Sequence, residues 1–241
     1  MSDHTLFIAD LHLTPERPQI NAAFFGFLEV TAINADALYI LGDFFETWLG
    51  DDDLADPLHT EIASRLKHLS DSGVPVWLMH GNRDFLLADD FFRASGAHRL
   101  VDPSVIDLYG TPTLLMHGDS LCTDDAPYQQ FRQQVRNPQW QATFLQRPLT
   151  ERRALAAALR AQSEQTKADK TPEIMDVNAS AVAQALHDSG TQRLIHGHTH
   201  HPARHTHDDS ERWVLPAWYA GAGWIECSAH GCALHLPEAG T

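Results

Sequence analysis

The sequence predicts an α/β domain in which strands and helices alternate before the chain closes with a run of antiparallel strands. Three observations carry that prediction: β-prone runs that recur along the chain, segments of helical period between them, and a polar cluster at the end of each run. The runs are TLFIA (5–9), ALYIL (37–41), VPVWLM (74–79), TLLM (113–116) and RLIH (193–196), and residues 21–33 and 58–70 have helical period and length. Toward the C-terminus RHTH, RWVLPA, GWIECS and GCALHL read as successive strands divided by Asp, Pro and Gly signals, which predicts one mixed sheet with an antiparallel end.

At 241 residues and 43% hydrophobic, the chain can bury a sizeable core and reads as a single domain over 1–241. Residues 121–189 form a different unit within it, a helical insertion whose clearest helix is RPLTERRALAAALRAQSEQ, with Thr150 as its N-cap. Net charge is -15, from 17 basic and 32 acidic residues, so no broad basic face exists to displace counterions and a nucleic-acid partner is excluded. The charge is uneven. Residues 126–170 hold eight of the basic residues against three acids, a net +5 that leaves the remainder at -20, so the insertion is expected to face an anionic substrate or membrane surface.

Cys122, Cys227 and Cys232 are odd in number and form no C-x-x-C pair, and the acidic N-terminus lacks the pattern of a signal peptide. Reduced thiols in a cytoplasmic protein are expected. The longest apolar stretch, WVLPAWYAGAGWI, is broken by Pro and Gly and is shorter than the roughly 20 residues a spanning helix needs, so any membrane contact is peripheral.

Each β-prone run ends in groups that can ligate: Asp10 and His12 in IADLH, Asp43 and Glu46 in LGDFFE, His80, Asn82, Arg83 and Asp84 in MHGNRD, His117 and Asp119 in MHGDS, and His196, His198 and His200 in IHGHTH. Strand C-termini in α/β folds converge on one edge, so residues nearly 200 positions apart can share a crevice. Imidazole, carboxylate and amide donors without thiolate suit Mn, Fe, Zn or Co rather than Ca. Six histidines crowd residues 195–207; His201, His205 and His207 lie beyond the ligand pattern and are assigned to exposed positions. His196, His80, Asp84, Asp119 and Glu46 are read as supporting groups, the GDDD of 50–53 as a solvated loop, and Trp48, Trp77, Trp213, Trp218 and Trp224 as core or rim.

The ordered series D-x-H, G-D, G-N-R, H-G and G-H-x-H resembles that of the calcineurin-like metallophosphoesterases, over residues 5 to about 205. Within that superfamily, GNRDFLL, MHGDSLCTDDAPYQQFR, IMDVN and LIHGHTHHPA resemble the branch that splits the pyrophosphate of UDP-2,3-diacylglucosamine, a lipid A precursor, into UMP and a diacylglucosamine 1-phosphate. The resemblance implies a four-layer αββα sandwich carrying two Mn ions, the insertion acting as a lid over the substrate. It assigns Asp10, His12, Asp43 and His200 to one metal and Asp43, Asn82, His117 and His198 to the other, with Asp43 bridging. It implies catalytic roles for Asp43, Asn82, Arg83, His117 and His198, and substrate contacts at Asn82, Arg83, Asp125, Tyr128, Ser163, Lys167, Lys170 and His198. It further implies attack at the α-phosphorus and peripheral residence on the cytoplasmic face of the inner membrane. Another dinuclear phosphoesterase activity, on cyclic nucleotides, dinucleoside polyphosphates or phosphoproteins, stays open at this point, as does a non-catalytic metal-binding scaffold.

Overall fold

Alternate residues of the first strands part to opposite faces, and the layers of the molecule follow from that alternation. The structure is a computed structural model and describes residues 3–168, 174 and 176–237. In its first sheet β1 (His4–Ile8), β2 (Ala37–Leu41), β3 (Val76–Met79) and β4 (His98–Leu100) run parallel. Antiparallel β10 (Trp224–Ser228) and β11 (Gly231–His235) extend it beyond β1. The second sheet has the order β5-β6-β7-β9-β8, from β5 (Ser104–Leu108), β6 (Thr111–Met116), β7 (Arg193–His196), β8 (Ala203–His207) and β9 (Ser210–Val214).

Leu6, Ile8, Leu38, Ile40 and Leu78 face outward from the first sheet, where Phe24 and Leu28 of α1 (Pro18–Val30), Leu66 of α2 (Pro57–Asp71) and Phe91 of α3 (Asp89–Ser95) cover them. Phe7, Leu41 and Met79 point the other way and meet Leu115, Ile195 and Trp213 of the second sheet. Leu114, Met116 and Leu194 on that sheet's far face pack against Leu186 of α7 (Ala179–Ser189). Helix, sheet, sheet and helix are thus stacked in the four layers that the resemblance implies. The single mixed sheet read from the strand pattern is corrected: β8 and β9 join the second sheet while β10 and β11 join the first, a division that hydrophobic period cannot express.

Between β6 and β7 the chain forms α4 (Ala126–Val135), α5 (Pro138–Leu145), α6 (Leu149–Ala168) and α7. Asp125 caps α4 through Tyr128 N, and Asn137 caps α5 through Gln139 N and Trp140 N. Thr150 is not a cap, because α6 already begins at Leu149 and places Thr150 inside its first turn.

Much of the basic excess of this segment is directed inward. Arg132 binds Asp119, Arg152 binds Asp52, Arg153 binds Asp53 and Arg160 binds Glu46, while Arg136 donates to the Gly81 carbonyl. The acids of the sandwich therefore anchor the insertion. The GDDD turn shares in this and is not the solvated loop expected: Asp53 is buried, and Asp51 accepts from Trp48 Nε1 and from the amides of Ala88, Asp90 and Phe91. The cysteines also depart from expectation. Cys227 and Cys232 are directly opposed across β10 and β11 and form a disulfide, leaving Cys122 as a buried free thiol.

Candidate metal centre and active-site cleft

Asp10, His12, Asp43 and Asn82 follow the C-terminal ends of β1, β2 and β3, and His117, His198 and His200 follow those of β6 and β7, so both sheets deliver donors to one place. Asp10, His12 and His200 form one group, and Asp43, His117 and His198 a second, the ligand-type atoms of each lying within 4.8 Å of one another. Asp43 spans both: Oδ2 lies 3.8 Å from His12 Nε2 and Oδ1 3.6 Å from His117 Nε2. Asn82 Oδ1 joins the second group, 3.1 Å from His117 Nε2 and 2.9 Å from His198 Nδ1. All seven residues assigned to metal by resemblance are thereby brought together.

The backbone is shaped to aim them. Asp10, His12, Asp43, His198 and His200 all have positive φ, between 48° and 68°, in a region costly for residues with a Cβ. Backbone bonds hold the turns, from Asp10 N to Gly42 O and from His12 N to Asp43 O. At Gly81 a Cβ would collide with the backbone nitrogen and Oδ1 of Asp43, so only glycine admits this approach. Buried Asp84 accepts from the amides of Gly81 and Phe44, at 2.7 and 2.6 Å, and ties the two turns together.

Electrostatically, the pocket is built for cations. Burial, together with the nearby carboxylates Asp84 and Asp10, pushes Asp43 above the usual range although His117 pulls it down. Burial drives His12 down to about 2 and His198 to about 3, so their imidazoles are neutral and present lone pairs. His117 is held up at about 9 despite burial, by Asp43 and Asp119; its Nδ1 donates to the Leu41 carbonyl at 2.9 Å, which turns Nε2 toward Asp43. Asp10 Oδ1 is buried without a hydrogen bond. The neutral imidazoles of His12 and His198, the clustered carboxylates and the unbonded Asp10 Oδ1 fit two divalent cations of intermediate hardness.

Beside these groups lies a cleft of about 620 Å³. Asn82, Arg83, Asp125, Tyr128 and His198 line it, and Phe85, Phe131, Val135, Trp140, Phe144 and Leu159 form an apolar wall. Tyr128 stacks on His198 at 5.9 Å and donates to buried Asp119 at 2.8 Å, while Asp125 is also the cap of α4. Of the remaining predicted contacts, Lys170 lies outside the described residues, and so do the side chains of Ser163 and Lys167 on α6.

Among the groups read as supporting, His196 is fully buried between the Gly197 carbonyl and Arg212, a structural position. Glu46 is more than an accessory. It collects Arg17 at 2.5 Å and Arg160 at 2.6 Å, with Arg83 at 3.7 Å, at the edge of the centre. The sequence reading missed Arg17, and also Tyr219, whose ring lies parallel to His12 at 5.9 Å; neither belongs to a motif. The apolar wall did leave a signal, in the helical spacing of Tyr128, Phe131 and Val135 and of Trp140 and Phe144.

Comparison with known proteins identifies the family. The family model described as calcineurin-like phosphoesterase matches residues 4–202. A protein of Cellvibrio japonicus named UDP-2,3-diacylglucosamine hydrolase is 52% identical over 96% of this chain and 98% of its own. One of the same name from Escherichia coli O81 is 50% identical over 97% of this chain and 99% of its own. Among solved structures, Vacuolar Protein Sorting 29 of Cryptosporidium parvum aligns with a TM-score of 0.49 at 11% identity, over 97% of this chain and 86% of that one.

Proposed function

This chain belongs to the calcineurin-like phosphoesterase family, and we propose that it hydrolyses the pyrophosphate of UDP-2,3-diacylglucosamine to UMP and 2,3-diacylglucosamine 1-phosphate, a step of lipid A synthesis. The observation that carries this reading is the junction of a two-cation centre with an apolar-walled cleft, in a chain about 50% identical to proteins of that name. A small phosphodiester would need the centre but not the wall.

Asp10, His12, Asp43 and His200 would hold one metal, and Asp43, Asn82, His117 and His198 the other. When bound, the pair supplies a nucleophile at neutral pH and Lewis-acid stabilisation of phosphoryl charge. We assign manganese to both positions, a choice the thiolate-free N/O donor set supports. Arg83, beside Asn82 in the cleft lining, offers a planar fork to the phosphate oxygens. Tyr128 and His198 border the same phosphates, and Asp125, Ser163, Lys167 and Lys170 complete the contacts with the substrate. The acyl chains lie along Phe131, Trp140, Phe144 and Leu159, with residues 121–189 acting as the lid. Water attacks the α-phosphorus, and the diacylglucosamine 1-phosphate leaves.

Incubating metal-free and manganese-loaded protein with the substrate, with products read by mass spectrometry, tests the reaction. Metal-dependent appearance of UMP is expected, and in H2(18)O the label should enter UMP; label in the sugar phosphate would move the attack to the other phosphorus. Failure on this substrate with retained hydrolysis of a generic phosphodiester would overturn the substrate assignment.

The enzyme is further proposed to work at the cytoplasmic face of the inner membrane. No described helix is long and apolar enough to cross a bilayer. Leu145 and Leu155 are exposed on the insertion outside the cleft lining, whereas its arginines are largely committed inward. Docking is therefore expected to be mainly hydrophobic. Sedimentation with anionic vesicles should persist at 0.5 M salt, and binding that vanishes there would show the contact to be electrostatic.

A further inference from the structure

The cleft accounts for one half of a two-ended substrate. Its lining runs from the apolar wall through Arg83 to His198, His200 and His201 and does not include Tyr219 or Arg17. Those two residues stand on the His12 flank of the centre. The ring of Tyr219 is nearly parallel to His12 at 5.9 Å, edge-on to His200 at 5.2 Å, and has the Arg17 guanidinium 5.7 Å from its centroid.

An isolated exposed tyrosine needs no explanation. This one is 59% exposed although the residue before it is anchored: Trp218 is fully buried, donates its indole N–H to Gly223 O at 2.9 Å, and gives its backbone N–H to the carbonyl of Asp10 itself, at 3.1 Å. Arg17 is fixed in turn through the His12 carbonyl and Glu46. A largely exposed aromatic ring, with His12 parallel to it and the Arg17 guanidinium over it, thus adjoins the first metal group.

We propose that Tyr219 is the stacking platform for the nucleobase of the substrate, with Arg17 beside it as the cation nearest the adjoining ribose phosphate. The inference rests on the substrate assignment above: if the acyl half fills the cleft, the nucleoside half must leave across the His12 side. Base-on-aromatic stacking tolerates any planar base and requires no hydrogen-bond pattern. Discrimination between uracil and other pyrimidines is accordingly weak on this side.

Calorimetric titration of the metal-loaded protein with UMP and with ribose 5-phosphate tests the proposal, because the two differ only by the base. The wild type is expected to bind UMP about tenfold more tightly. Tyr219→Ala should bring the two affinities together, and Tyr219→Phe should restore the difference. Metal content measured on each variant reports whether the His12 side has been disturbed. A Tyr219→Ala protein that keeps its metal and still prefers UMP tenfold overturns the platform, as does a wild type that binds both ligands alike. Neither result touches the substrate assignment, which stands or falls on UMP release from the lipid substrate.

Discussion

Asp43 illustrates how much the site asks of single residues. Its φ is 48°, its carboxylate is buried, and its two oxygens face different histidine groups. Each left-handed non-glycine residue costs of order 1 kcal/mol or more, and five of the seven candidate ligand positions carry that cost. Gly81 is what lets Asp43 sit so close to the β3 turn. Gly81→Ala is therefore expected to drive a methyl group into Asp43, reduce bound metal and lower turnover at least ~100-fold. Gly26 has the opposite setting, inside α1 with nothing within 4 Å of a prospective Cβ. Gly26→Ala should stabilise the fold by about 1 kcal/mol with activity unchanged. Urea unfolding and metal analysis of the two variants check both expectations, and a Gly81→Ala protein with full metal occupancy would refute the close-approach argument. The candidate donors were legible in the sequence because five separate runs ended in them, and the resemblance divided them between two metal positions. The positive φ values were not, since Asp and His seldom take them and only the packing of the turns imposes them.

Among the elements, α3 shows why some structure could not be read in advance. It has seven residues, and its own flanking residue supplies no side-chain cap; Asp51, from the GDDD turn, takes the amides of Ala88, Asp90 and Phe91 from 37 to 40 positions away. A cap at that separation leaves no local signature, so the same aspartate looked like part of a solvated acidic run. The short β4 and the half-exposed β5 escaped for a related reason, being edge strands with little apolar period. By contrast β2 and β7 agree residue for residue with their apolar runs, because their side chains are mostly buried. Asp51→Ala removes the acceptor of three amides and the Trp48 indole at once. A loss of about 2–3 kcal/mol is expected from the unsatisfied donors, read as a lower urea midpoint with an unaltered slope. An effect under 0.5 kcal/mol would mean that water replaces the carboxylate readily and that α3 does not depend on it.

At the scale of the whole molecule, two complementarities join parts that sequence shows only as separate stretches. One is charge: the stretch 126–170 within the insertion, with net +5, sits on a remainder with net -20, and its arginines bind acids of that remainder. An asymmetry that pointed to an external anion is largely satisfied within the fold. The other is the centre, since each group mixes donors from both sheets: His200 of the second with Asp10 and His12 of the first, and Asp43 of the first with His117 and His198 of the second. Metal binding would cross-link the sandwich at that edge, where buried Asp10 and Asp43 are otherwise offset chiefly by neighbouring histidines. A ligand that binds only the folded state adds about 2.7 kcal/mol at a hundred times its dissociation constant. For a domain of this size that corresponds to a rise in melting temperature of roughly 5–10 °C. Adding manganese to metal-free protein should produce this rise and a chelator should reverse it, while Asp43→Ala, which removes the group shared by both positions, should blunt the response. Scanning calorimetry of the two proteins with and without metal decides the matter. A wild type that melts at the same temperature in both states would show that manganese does not bind the folded centre, because an ion held only there must raise the transition.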